Sequence, residues 1–136
     1  MSLTEDAKDW LKSRINDAQN TINSYQETIA SDQEKIERID TACNQLSTQY
    51  DTANSAKSDL KNYTAGSTWA GAKHDSYNDD KNDADTAADT YCDAILDARN
   101  QLQQKKTQLS AESANLGGLI TSLGSQISGW WDQITN

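Results

Sequence analysis

Apolar residues return along the first half of the chain in steps of four and three: Leu11, Ile15, Ala18, Ile22, Tyr25, Ile29. After one polar interruption the series resumes at Ile36, Ile39, Cys43, Leu46, Tyr50, Ala53 and Leu60. Written as heptads, position a holds Ile15, Ile22, Ile29, Ile36, Cys43, Tyr50 and Lys57. Position d holds Leu11, Ala18, Tyr25, Asp32, Ile39, Leu46, Ala53 and Leu60. A seam that long predicts one continuous helix with a single buried stripe. Its start is marked by Ser2-Leu3-Thr4-Glu5, which fits a capping box with Ser2 as N-cap. Glu5, Asp6 and Asp9 then sit where the helix dipole favours negative charge.

The stepping returns in the second half, where a is predicted at Ala88, Ile95, Leu102, Leu109, Leu116, Leu123 and Trp130. The accompanying d series, Ala84, Tyr91, Ala98, Lys105, Glu112, Leu119 and Gln126, is looser. Between the arms, Gly66 and Gly71 bracket Ser67, Thr68 and Trp69, and glycine permits the positive φ angles that end one helix and turn into the next. The sequence therefore predicts an all-α fold, a long antiparallel helical hairpin of one domain over 1–136. Helix one is expected at about 3–63, the turn at 64–71 and helix two at 72–134. Two such helices bury one stripe each, so the hairpin is expected to complete its core with another chain.

Composition narrows the partners. The net charge is −9 and the mean hydropathy −0.89, which argues against nucleic acid and anionic membrane as ligands. The opening residues MSLTEDAKDW lack the pattern of a secretory signal peptide, and no apolar run is long enough to span a bilayer. The expected location is the cytoplasm, with any export proceeding without a cleaved signal and without stable membrane insertion.

No residue pattern supports catalysis, a cofactor or a metal. The acidic run Asp75, Asp79, Asp80, Asp83, Asp85, Asp89, Asp93 and Asp97 fails the calcium-loop pattern, because a loop starting at Asp83 has Ala88 sixth and Ala94 twelfth. Such a run reads as a solvated helix face. The single histidine, His74, has no motif around it for zinc or for a nucleophile. Cys43 and Cys92 fall within half a helical turn of each other in a hairpin turning at 68–69, so a disulfide fits, as do two buried free thiols. The same register sets Asp32 opposite Lys105 and Tyr25 opposite Glu112, either as paired polar groups that specify register or as side chains reaching solvent.

Beyond Lys106 only Glu112 and Asp132 are charged, and Gly117, Gly118, Gly124 and Gly129 thin the helix. Leu116, Ile120, Leu123, Ile127, Trp130, Trp131 and Ile134 mark an apolar stretch there. With Trp10 they form the candidate interface for helices of a partner, packing over Gly117 and Gly124.

Trp69-Ala70-Gly71 between two heptad arms resembles the WXG family of type VII secretion proteins. The resemblance implies a small helical hairpin, with Trp69 and Gly71 in its turn, that pairs into a four-helix bundle. The family's export signature, Tyr followed four residues later by Asp or Glu, is missing. Tyr25, Tyr50, Tyr63, Tyr77 and Tyr91 lead to Ile29, Asn54, Ser67, Lys81 and Ile95. With its longer arms the chain looks more like the accessory proteins that accompany LXG toxins. That likeness implies a non-enzymatic chaperone or targeting factor for the helical domain of a secreted effector, with or without a second small helical protein beside it. A self-pairing secreted WXG-type protein and a purely structural coiled coil are the alternatives.

Overall fold

The computed structural model describes residues 3–63 and 72–135, with the side chains of 72–74 left out of the description. Two helices account for it: α1, Glu5–Asn62, and α2, Ala72–Thr135. The fold is all-helical, two long helices packing against each other. The expected turn, with Trp69 and Gly71, lies outside the described residues.

α1 is capped two residues later than its sequence suggests. Thr4 is the N-cap: the Ala7 amide donates to Thr4 Oγ1 at 3.1 Å, and the Lys8 amide to the Thr4 carbonyl at 3.0 Å. Threonine caps as serine does, by accepting from an otherwise orphan amide of the first turn. With Thr4 outside the helix, Glu5 becomes its first residue rather than the far half of a capping box.

The packing falls into two compact units, Met1–Glu37 with Lys106–Asn136, and Arg38–Lys105. In the first, Leu11, Ile15, Ala18, Ile22 and Leu109 are buried, with Leu116, Ile120, Leu123, Ile127, Trp130 and Ile134 half-buried. In the second, Ile39, Cys43, Cys92 and Ile95 are buried, and Leu46, Ala88 and Leu102 half-buried.

The first-arm heptads hold, but the second column of α2 is corrected. Cys92 and Arg99 in one unit, and Lys106, Ser113, Ile120, Ile127 and Ile134 in the other, are buried or half-buried. The column expected at d is largely outside: Tyr91 is 56% exposed, Leu119 40%, and Lys105, Glu112 and Gln126 are also exposed. A heptad leaves two choices for the column beside Leu109 and Leu116, three residues after each or four after. Four after recruits Ile120, Ile127 and Ile134, which bury more apolar surface than Leu119, Gln126 and Gln133.

Candidate partner interface

The register between the helices decides which apolar side chains are left over. In the first unit, Ser113 Oγ donates to Asp32 Oδ2 at 3.5 Å. Asp32 therefore does not meet Lys105, which is exposed. From 105 to 113 is eight residues, a shift of about 12 Å at 1.5 Å per residue. Tyr25 is half-buried while Glu112 faces out, so that expected pairing is not made through a shared seam.

The second unit shows a shift of the same sense. Cys43 Sγ approaches the Arg99 carbonyl at 4.0 Å, and Arg99 Nη1 donates to Ser47 Oγ at 3.2 Å. Cys92 is seven residues from Arg99, about 10 Å along the helix. That separation is longer than the roughly 7 Å between Cα atoms that a disulfide spans. Cys43 and Cys92 are free, buried thiols.

Beyond its apolar part, the second unit is joined by charge. Asp89 accepts from Lys57 at 2.7 Å and from Lys61 at 3.3 Å. Lys81 pairs with Asp85 at 3.6 Å and donates to the Lys61 carbonyl at 3.2 Å, which occupies one of the orphan acceptors at the end of α1. The Tyr63 and Tyr77 rings meet at 6.1 Å. Burial, then the Tyr63 and Asp85 charges, push the Tyr77 phenol above its usual range.

The hydrogen bonds from Lys57 and then Lys61 hold the Asp89 carboxyl below the usual aspartate range. Its partnership with Asp89 raises the Lys57 ammonium. Asp89 thus favours the folded state above the ordinary aspartate pKa, and the benefit is lost as pH falls through its lowered folded value. Lys57 contributes below the ordinary lysine pKa and ceases to as pH rises through its raised folded value. An NMR titration of the Asp89 side chain should show a depressed midpoint that moves up in Lys57→Ala; an unchanged midpoint in that variant would show that the pair is not formed in solution.

The first unit sets an Arg14 guanidinium between two indoles, 5.6 Å from the Trp10 ring centre and 5.7 Å from that of Trp130. Trp130 is thereby held half-buried, whereas Trp10 remains 60% exposed and Trp131 45%. Arg14 was invisible as a site residue in the sequence. Its one signal is its place one turn after Trp10, a spacing that lets a cation lie over a ring on one helix face.

The apolar stretch of α2 divides accordingly. Leu116, Ile120, Leu123, Ile127, Trp130 and Ile134 are half-buried by packing within the unit, while Trp131 and Leu119 are turned away from it. A Cβ added at Gly117, Gly118, Gly124 or Gly129 would meet nothing within 4 Å. Among the described residues nothing packs closely enough on those positions to require a glycine, each of which weakens a helix by about 1 kcal/mol relative to alanine. Gly117, Gly124 and Trp131 recur at intervals of seven and share one face of α2.

Among the described residues, no group of three or more His, Cys, Asp or Glu could hold a metal ion. No described helix is long and apolar enough to cross a membrane. An open depression lined by Thr41, Asn44, Gln45, Thr48 and Gln49 belongs to α1 alone and gathers no charged or nucleophilic group.

A family model described as YwqH-like matches residues 13–130. The chain belongs to the YwqH-like family. The match takes in almost all of both helices, including Arg14 and Trp130, and stops one residue before Trp131. Neither the curated proteins nor the solved structures provide a match.

Proposed function

We propose that the chain is a non-enzymatic partner protein of bacterial type VII secretion, binding the helical targeting domain of an LXG-type effector as its chaperone or targeting factor. The observation that carries this reading is membership of the YwqH-like family over residues 13–130, a family associated with LXG effector systems. In this reading the two helices form a hairpin with Trp69 and Gly71 at its turn. Export, where it occurs, follows the effector.

The binding surface is the outward side of the first unit. Trp10 and Trp131 each expose a large part of an indole, and burying a large apolar side chain is worth about 1.5–3 kcal/mol. Tryptophan is also the residue type most often found to dominate interface energies. A partner helix laid over Gly117 and Gly124, which are half-buried with room left for a Cβ, would reach the backbone closely and end against Trp131.

Co-expression with the LXG-type domain of its effector tests the reading. The intact chain should co-purify with that domain, and Trp10→Ala/Trp131→Ala should lose capture at least tenfold with its helicity unchanged. Full capture by the double variant would remove this surface from the interface, and no capture by the intact chain would end the proposal. Deleting residues from Gly117 onward is a poorer test, because it also removes packing from the first unit and leaves Leu11, Ile15 and Ile22 less covered.

A further inference from the structure

Between residues 84 and 102, α2 carries two heptad seams, and the packing of the second unit uses one of them. The inward seam is Ala88, Cys92, Ile95 and Leu102. The other steps by three and four through Ala84, Ala87, Tyr91, Ala94 and Ala98. Ala84, Ala87, Tyr91 and Ala94 are exposed and Ala98 is half-buried. At 100° per residue this second seam lies roughly a quarter-turn around the helix from the first. Alanine suits any helix surface, since it has the highest helix propensity. Helix propensity does not explain a tyrosine standing in solvent at the centre of an alternating small-residue seam.

Carboxylates line the edge of this seam that faces away from Cys92 and Ile95. Asp83 lies four residues before Ala87 and Asp97 three after Ala94, spacings that make them neighbours on the helix surface. Asp80, one heptad before Ala87, closes one end, and Asp93 stands beside Ala94. All four are exposed. A second copy of the chain would bring aspartates against aspartates, on a protein whose net charge is already −9. A helix flanked by lysine or arginine would gain at each of them.

We propose that the Ala84–Ala98 face of α2 is a docking seam for a partner helix whose apolar stripe is flanked by basic residues. The alanines allow the helix axes to approach at the short end of the usual 8–10 Å range, and Tyr91 fills the space between larger partner side chains. The seam is about 21 Å long and no wider than one helix, about 10 Å, so its area of roughly 200 Å² is well short of the roughly 800 Å² per partner of a standard interface. Affinity is therefore modest and falls with salt. The proposal stands on the second unit alone and does not need the effector-binding role of the tryptophans.

A fluorescein-labelled synthetic helix of about three heptads, with leucine along its stripe and lysine on both flanks, serves as the probe. Fluorescence anisotropy with the full-length chain should show binding, and the same peptide with glutamate flanks should bind at least tenfold more weakly. The discriminating variant is Ala87→Glu/Ala94→Glu. It alters exposed positions, keeps good helix formers and is checked by circular dichroism. Docking on the seam predicts at least a tenfold loss of the lysine peptide, whereas attraction to an acidic surface alone predicts tighter binding. Unchanged or tighter binding by that variant, equal binding of the two peptides, or self-association of the chain abolished by the same variant would each overturn the proposal.

Discussion

Leu109→Ala should destabilise the first unit by about 2–5 kcal/mol, whereas Leu119→Ala should stay within roughly 0.5 kcal/mol of the parent. Both leucines fall on the heptad pattern of the second arm. The difference between them is made by packing: Leu109 is 4% exposed and Leu119 is 40% exposed. Truncating Leu109 removes most of a buried side chain and leaves a hole in a thin interface with few neighbours to close it. Truncating Leu119 removes atoms already largely in water. Thermal unfolding followed by circular dichroism should separate the two variants by roughly 10 °C. Equal effects would put Leu119 in the seam and withdraw the column assignment of α2.

Asp32→Leu is expected to raise stability by about 1–3 kcal/mol. Asp32 is 3% exposed, on the same stripe as Ile15, Ile22 and Leu11, and a serine hydroxyl at 3.5 Å is a weak match for a carboxylate. Taking such a group out of water costs free energy that one long hydrogen bond does not return. Leucine at that position would continue the apolar stripe. Urea denaturation of the two proteins measures the difference. A loss of more than about 1 kcal/mol would mean that the Asp32–Ser113 pair contributes more than its geometry indicates. A stabilised variant that also forms mixed oligomers would show that Asp32 serves to hold one register, as buried polar groups do in some coiled coils.

The existence and type of both helices were legible from apolar spacing alone, because a stripe repeated over many turns leaves a helix few other ways to cover it. The inward column of α1 was legible for the same reason: Leu11, Ile15, Ala18, Ile22, Ile39 and Cys43 are all buried as their steps require.

What required the tertiary structure was every question of alignment between the helices. The second column of α2 has two solutions at heptad spacing, each containing polar residues, and only the buried area on the partner helix selects Ile120, Ile127 and Ile134 over Leu119 and Gln126. Register was equally open, because sliding one uniform heptad seam along another by a whole repeat changes little locally. Asp32 thus meets Ser113 instead of Lys105, and Cys43 meets Arg99 instead of Cys92. The surplus surface follows from that alignment: Arg14 reaches Trp130, while Trp10, Tyr91 and Trp131 stay uncovered. A one-dimensional period determines that a helix has an inside; which residues are left outside for a partner is decided by the shape of the helix it packs against.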